Sequence, residues 1–192
     1  MRPPLPLMIA AALALGACAN PDYYLLPPPQ PVARLAAPVS SIAVAEISLP
    51  AYAEALEIAT LAGPGAVTLN KNALWADTPR RALTRHLVAA LEARLRARVG
   101  TEPWPAFDGP GLRVEVIADR FVGAPGGTVE FAGQYIVVAN DSGRITASDR
   151  FAIAVPTGGG GYEALMAAHA RAVEQLADMI AARITGRAAP AA

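Results

Sequence analysis

The sequence predicts an α+β fold, with a mixed, mostly antiparallel sheet and two long amphipathic helices packed on one face. Two helical stripes support this: leucines recur every four residues after Pro79, and apolar residues recur again after Tyr162. Between the helices lie segments that alternate apolar and polar residues, as in strands with one buried face. Of the 192 residues, 54% are hydrophobic and 17% are charged, which indicates one domain with a sizeable core.

The first seventeen residues have the parts of an export signal. Arg2 precedes the apolar stretch "LPLMIAAALAL", and the small residues Gly16 and Ala17 follow. The stretch is shorter than the roughly 20 apolar residues that a membrane-spanning helix requires, and no later uncharged run reaches that length. We therefore expect an exported protein without a transmembrane helix.

The sole cysteine follows directly. Residues 15–18, "LGAC", resemble the lipobox of bacterial lipoproteins, in which small residues let a peptidase cut before a cysteine that carries a diacylglycerol. We predict that Cys18 becomes the first residue and carries a diacylglyceryl group and an N-acyl chain, which exceeds the two signals needed for stable anchoring. The alternatives are an ordinary signal peptide with an incidental cysteine, and a buried core thiol that nothing around Cys18 supports.

Three parts follow the signal peptide of residues 1–17. Residues 18–38 are the lipidated N-terminus and a proline-rich tether, which we expect to be extended, partly polyproline II, and to hold the body off the membrane. Within it "YYLL", residues 23–26, is apolar for a linker and indicates docking on the body or a partner; the alternative is exposed residues in a flexible tail. Residues 39–186 form a single α+β domain, and residues 187–192 a disordered tail.

The domain begins with a strand and a hairpin. The segment "SSIAVAEISLP", residues 40–50, is typical of a buried strand that a proline ends. Residues 52–62 are ambiguous between a helical turn and a strand. The "GPG" at 63–65 forces a turn, from which "AVTLN" pairs back as a short hairpin.

The first helix has clear boundaries and two contrasting faces. Asp77 or Thr78 caps it, Pro79 suits the first helical position, and Gly100 ends it. The apolar stripe consists of Leu83, Leu87, Leu91 and Leu95, and the other face carries Arg80, Arg81, Arg85, Arg94, Arg96 and Arg98. These arginines could attract anionic headgroups. A solvated helix face is the commoner arrangement, because Glu92 interrupts the row and the total charge balances.

The rest of the chain predicts a sheet and a second helix. Residues 112–118, 128–139 and 145–155 alternate as antiparallel strands, with a turn at Asn140–Gly143. In the last helix Gly186 follows the apolar stripe and ends it. That stripe consists of Leu165, Val173, Leu176, Ile180 and Ile184.

The same residues argue against several classes of function. A net charge of zero gives no basic field for nucleic acid. The glycine run at 158–161 stands where a phosphate loop would, but no lysine-serine or lysine-threonine pair follows. His86 and His169 lack metal-ligand spacing and are interpreted as packed or boundary residues. No acid/base pair or nucleophile motif is evident, so we expect no enzyme and no cofactor beyond the lipid on Cys18.

The order of the motifs is more specific than any one of them. After the lipobox come "YYLL", a strand ending "LPAY", "LWAD" before the arginine-rich helix, and "YEALMAAHARAVEQLADMIAARI". In this order, residues 18–185 resemble the auxiliary lipoprotein family of ABC-type transporters, the PqiC type, whose genes accompany MCE (mammalian cell entry) domain proteins. The matching positions are Tyr24, Pro50, Trp75 and the helix after Tyr162. The glycine run at 158–161 departs from the family pattern.

The resemblance implies a non-enzymatic subunit that docks with a periplasmic MCE assembly, helps lipids pass between the membranes and keeps the envelope intact. In this class of lipoproteins an aspartate after the cysteine favours the inner membrane, so Ala19 implies the periplasmic face of the outer membrane. The implied partner is a periplasmic MCE-domain protein. The residues expected to bind it are Tyr23, Tyr24, Tyr52 and Trp75. The competing hypothesis is a lipoprotein that itself binds a lipid or other apolar ligand, and the sequence leaves open whether copies form a homo-oligomer.

Overall fold

A computed structural model describes residues 20–105 and 108–187; the signal peptide and Cys18 lie outside this range. Within it, the predicted strands and helices follow one another in the expected order, and two further strands, at residues 22–24 and 98–101, were not predicted. The elements are β1 (Asp22–Tyr24), β2 (Ser41–Val44), β3 (Glu57–Gly63), β4 (Ala66–Trp75), α1 (Pro79–Arg94), β5 (Arg98–Thr101), β6 (Leu112–Val122), β7 (Thr128–Ala139), β8 (Ile145–Pro156) and α2 (Tyr162–Thr185). One turn of 3-10 helix, Ala51–Ala53, precedes β3.

The strands form two sheets where the sequence predicted one. The larger sheet has the order β5-β2-β6-β7-β8, in which the long strands β6, β7 and β8 are antiparallel and β2 runs parallel to β5 and β6. The smaller sheet has the order β1-β4-β3. The two sheets meet where the Leu61 amide donates to the Gly123 carbonyl oxygen at 3.0 Å. The predicted hairpin turns at 63–65 and 140–143 are both present.

Both helices pack on one face of the larger sheet, which confirms the predicted α+β arrangement. α2 lies over β7 and β8, while α1 lies beside it, over β2 and β5. The inward faces of β6 and β7 follow the predicted alternation because a strand turns successive side chains to opposite sides, and β8 does so except at Ile145, which is exposed. The fully buried large side chains include Ile42, Leu83, Leu87, Leu91, Phe131, Tyr135, Leu165 and Leu176.

α1 is shorter than predicted. It ends at Arg94, and Leu95 adopts an extended backbone with φ −118° and ψ 143°. Arg98–Thr101 then pairs with β2 instead of continuing the helix. The reason is tertiary: the hydrogen bonds of a parallel strand pair replace those of one more helical turn. Arg94 is buried, so the predicted arginine row is not a single solvated face.

The other ambiguous segments resolve locally. β2 ends at Val44, but residues 45–50 continue alongside β6, where the Ser48 amide donates to the Val116 carbonyl oxygen at 3.0 Å. Residues 52–62 contain both predicted alternatives, since the 3-10 turn is followed by β3. α2 ends as predicted at Gly186, whose φ of 67° is a left-handed conformation that glycine tolerates.

His169 belongs to the core, as its position on the apolar stripe predicts. It is 1% exposed, and its ring centroid lies 4.5 Å from that of Phe121 and 5.8 Å from that of Trp75. Its Nδ1 atom has no hydrogen-bond partner in the described part of the chain. Burial lowers the pKa of His169 from 6.5 to about 3, because the charged ring would lose its hydration there.

This burial predicts a loss of stability in mild acid. Unfolded His169 takes up a proton below pH 6.5, whereas the folded ring stays neutral to about pH 3, so protons favour the unfolded chain between these values. Each pH unit in that range costs up to about 1.4 kcal/mol per histidine. In His169→Phe, the free energy of unfolding should fall less steeply between pH 6 and pH 5, because about one proton fewer is taken up on unfolding. The free energies are measured by urea titration at each pH. His86, with a pKa lowered to about 4, keeps its own contribution in both proteins, and equal slopes would contradict the assignment.

Candidate docking site

The predicted tether lies on the folded body. β1 pairs in parallel with β4, so that Asp22 is opposite Ala73 and Tyr24 opposite Trp75. Further along, the Leu35 amide donates to the Arg94 carbonyl oxygen at 2.7 Å. The boundary predicted at residue 39 is therefore too late, because the body begins at β1. The docking of "YYLL" on the body, one of the two alternatives for that segment, is observed.

This N-terminal segment forms an open apolar groove with the start of α2. The groove has a volume of about 730 Å³. Its lining residues are Asp22, Tyr23, Tyr24, Leu25, Leu26, Pro27, Pro28, Glu163 and Ala167. Tyr23 is 63% exposed and Leu25 is 72% exposed, while Tyr24 and Leu26 turn towards the core. Alternation along an extended chain thus divides the segment into residues that hold it and residues that face outwards. We call this surface the docking groove.

Tyr24 fixes the groove to α2. Its ring centroid lies 5.5 Å from that of Tyr162, whose hydroxyl oxygen accepts a hydrogen bond from the Asn70 side chain at 2.6 Å. Partial burial, followed by the nearby carboxylates of Asp22 and Glu163, raises the pKa of Tyr24. The phenol therefore stays neutral at physiological pH and can pack as an aromatic anchor.

Two of the predicted partner-binding residues, Tyr52 and Trp75, do not lie exposed at the docking groove. Trp75 is 4% exposed and packs against Phe121 and His169, so its prediction as an exposed group is wrong. Tyr52 is partly buried, and its hydroxyl oxygen accepts a hydrogen bond from the Phe121 amide at 3.1 Å. Both rings pack at the junction of the two sheets, because burial of a large aromatic side chain there removes much apolar surface from water.

An ionic cluster around the buried Arg94 joins the two helices next to the same segment. Arg94 is 5% exposed, and its guanidinium donates to both Asp178 carboxylate oxygens at 2.6 and 3.0 Å and to the Ala90 carbonyl oxygen at 3.1 Å. Next to Asp178 on α2, the Glu174 carboxylate accepts a hydrogen bond from the Gln30 amide at 3.3 Å. A bidentate pair holds its partners in one geometry, so Arg94 and Asp178 fix the two helices to each other, while the Gln30–Glu174 hydrogen bond attaches the N-terminal segment to α2.

His86 borders this cluster as a neutral side chain. Its Nε2 atom is 3.8 Å from a Glu174 carboxylate oxygen, which would be an ion pair only if the ring were protonated. Burial, opposed by a backbone hydrogen bond at Ala170 and assisted by the positive charge of Arg94, lowers the pKa of His86 to about 4. The contact is therefore not an ion pair at neutral pH, and the packed role predicted for His86 fits its burial.

The described residues offer little for chemistry or ligand storage. In residues 20–105 and 108–187, no group of three or more His, Cys, Asp and Glu side chains is placed to hold a metal ion. The cavity lined by Trp75, Phe121 and His169 has a volume of about 10 Å³, room for one water molecule and far less than an acyl chain. Within the same ranges, no helix combines the length and apolar character needed to span a bilayer.

The fold is shared with solved structures. An uncharacterized protein matches with a TM-score of 0.72 and 21% identity, over 86% of this chain and 99% of the other. A protein from Xanthomonas campestris matches with a TM-score of 0.63 and 20% identity, over 87% of this chain and 94% of the other. At these identities the likeness defines the class of fold: an α+β domain with the helices on one face. No curated protein matches the chain.

The sequence itself defines the family. Residues 23–181 match the model of the ABC-type transport auxiliary lipoprotein component family, and the chain belongs to that family. The resemblance inferred from motif order is thereby confirmed. Membership makes the protein a lipoprotein component of an ABC-type transport system, anchored at a membrane of the cell envelope. The match starts inside β1, so the family's domain includes the docked N-terminal segment.

Sequence reasoning missed the ionic cluster and the outward half of the docking groove. Arg94 stood in a row of arginines, and only its position one turn after Leu91, towards the apolar stripe, could have set it apart. Leu25 was seen as part of "YYLL", but its exposure depends on where β1 pairs. Tyr23 and Tyr24 were predicted, and the structure brings them together at the groove.

Proposed function

We propose that this chain is an outer-membrane-anchored auxiliary lipoprotein of an MCE-type ABC transport system. It docks to a periplasmic MCE-domain protein and supports lipid transport between the membranes and the integrity of the envelope. The observation that carries the proposal is the family match over residues 23–181, which includes the docking groove. In this role the chain is a non-enzymatic subunit, with no cofactor beyond the lipid on Cys18.

The docking groove supports the protein-binding part of the proposal. Tyr23 and Leu25 present apolar surface from a segment that β4 and α2 hold in place, so little conformational entropy is lost on binding. Tyrosine is enriched among the residues that carry most of the binding energy of interfaces. β1 is also the last strand of its sheet, and its outer edge pairs with no other strand of the described chain. An extended segment of a partner can add there through main-chain hydrogen bonds.

The short distance to the anchor supports the membrane-bound part. Cys18 stands four residues before Asp22, and four residue steps span at most about 14 Å. Since the chain from β1 onwards is docked, the body is held close to the membrane, and the partner must reach it there. This differs from the long tether that the proline content suggested.

The groove can be tested by capture of the partner. Tyr23→Ser/Leu25→Ser, expressed with the MCE-domain protein of the same gene cluster, should bind that protein about tenfold more weakly or worse, since truncation of interface anchors costs about 1 kcal/mol or more each. Binding is measured by co-purification from detergent and by titration of the purified pair. Both side chains point outwards, so the fold should be retained.

Ile145→Ser provides the matched control. Ile145 is 59% exposed. It lies at the start of β8, next to the end of β7 that is opposite Thr128, and therefore away from the docking groove. Its substitution should leave capture unchanged. Undiminished capture by a folded Tyr23→Ser/Leu25→Ser variant would remove the groove from the interface, and failure of the parent protein to capture any MCE protein would refute the proposed partner.

A further inference from the structure

One end of the molecule is built from three segments without a charged residue. These are residues 58–70, 121–129 and 151–162. They meet through backbone hydrogen bonds: the Leu61 amide donates to Gly123 at 3.0 Å, and the Gly126 amide donates to Gly159 at 2.7 Å. We call the tip of the β3–β4 hairpin (61–69) and the loops 123–127 and 156–161 the uncharged end. The glycine run that departs from the family pattern forms part of it.

The uncharged end carries exposed apolar side chains. Residues 62–69 are all exposed, including Val67 at 38% and Leu69 at 42%. The hairpin thus presents an apolar tip to its surroundings. Lys71, the one lysine of the sequence, follows the tip, and the long side chain of a lysine can keep its charged end in water while its stem lies on apolar surface. Transfer of such a tip from water into an apolar environment is favourable.

Strand direction places the lipid anchor on the same side. β1 runs parallel to β4, which starts at the hairpin tip, so the chain enters β1 from the tip side. The predicted acylated Cys18 is held within about 14 Å of Asp22 by chain length alone. From Ala73, the partner of Asp22, to Ala66 at the tip is about 24 Å along the strand. The anchor therefore lies within a short reach of the hairpin.

The opposite end has a different character. The β7–β8 turn contains Asp141 and Arg144, and it lies beside the start of β6, where Leu112 pairs with Ala139. The uncharged end lies at the other end of β6, roughly 35 Å away along the strand. The loops nearest the anchor thus contain no charged residue of their own, although the Arg171 guanidinium from α2 donates to the Pro156 carbonyl oxygen at 2.8 Å, whereas the turn farthest from the anchor contains two charged residues.

We propose that the uncharged end rests against the lipid surface that holds the acyl chains of Cys18. Val67 and Leu69 enter the boundary between headgroups and acyl chains, and the Lys71 ammonium reaches the lipid phosphates. The inference rests on the proposed lipid anchor and adds an orientation to it. One flexible attachment leaves the body free to tilt, whereas a second contact fixes the direction in which the docking groove faces.

The test places a fluorescent probe at the tip of the lipidated, full mature protein. Because lipidation consumes the Cys18 thiol, Val67→Cys provides a single free thiol, which is labelled with the polarity-sensitive dye NBD. The protein is reconstituted into vesicles of phosphatidylethanolamine and phosphatidylglycerol, with or without brominated acyl chains. The emission should shift to shorter wavelength and lose intensity in the brominated vesicles. The same probe at Ser142→Cys, in the far turn, should keep the emission that it has in buffer.

Flotation of the vesicles separates the two proposals. If the protein floats with them and the probe at position 67 keeps its emission in water, the anchor stands and the inference is overturned. If the protein does not float, the anchor itself fails, and the inference falls with it. A probe that changes only on addition of the MCE-domain protein would assign the uncharged end to the partner and also overturn the inference. In Val67→Asp/Leu69→Asp, a probe at Ala66→Cys should remain in water while the protein still floats.

Discussion

Gly133→Ala should destabilise the protein by about 3 kcal/mol, because a side chain has no room at this position. A Cβ atom there would lie 2.1 Å from the Ile117 carbonyl oxygen and 2.9 Å from the Ala118 Cα atom. Gly133 pairs with Ala118 next to a β-bulge at Asp119, in the centre of the larger sheet. Relief of the clash requires movement of two central strands. Since domains of this size are stable by about 5–15 kcal/mol, the loss is a large part of the total.

The measurement is urea unfolding followed by circular dichroism, with Gly160→Ala as the control. Nothing lies within 4 Å of a Cβ atom at Gly160, and its backbone is not in the left-handed region. The control should therefore stay within about 0.5 kcal/mol of the parent protein. A Gly133→Ala protein with the parent's midpoint would show that β6 and β7 are farther apart than described.

Cys18→Ser, with residues 1–17 replaced by a cleavable export signal of a non-lipidated periplasmic protein, should convert a protein found almost wholly in the membrane fraction into one found almost wholly in the soluble periplasmic fraction. The reason is that every acyl chain proposed here is attached through this residue, and each buried methylene contributes about 0.8 kcal/mol to membrane attachment. In the described part of the chain, no helix can replace the anchor by spanning the bilayer. The readout is cell fractionation together with mass spectrometry of the N-terminus. A membrane-bound Cys18→Ser protein would contradict the proposed anchor.

Ala19→Asp provides a control that keeps the lipid. In this class of lipoproteins an aspartate after the cysteine favours retention in the inner membrane, so the variant should remain membrane-bound and move to the inner-membrane fraction. Its mass should retain the three acyl chains. If Ala19→Asp and the parent protein fractionate identically in the inner membrane, the proposed outer-membrane location is wrong, although the anchor remains.

Local periodicity predicted most of the elements. β6, β7, β8 and α2 were found within a few residues because each has a long, regular pattern of burial. α1 begins at Pro79 as predicted but ends earlier than predicted. The leucine stripe could not show that Arg98–Thr101 is more stable when paired with β2 than as a further helical turn. Trp75 was predicted as an exposed partner-binding residue from the family resemblance, whereas it packs against Phe121 and His169, which are distant in the chain.

The sequence by itself determined the order of both helices and of the strands other than β1 and β5, the fold class, the family and the predicted lipid anchor at Cys18. These follow from patterns that are complete within a few residues, such as a lipobox, a turn or an amphipathic stripe. Only the tertiary structure decided that the N-terminal segment lies on the body, that Arg94 is buried and that the uncharged loops share one end. Those features depend on contacts between residues such as Gln30 and Glu174, which are 144 positions apart, and no local pattern encodes such a contact.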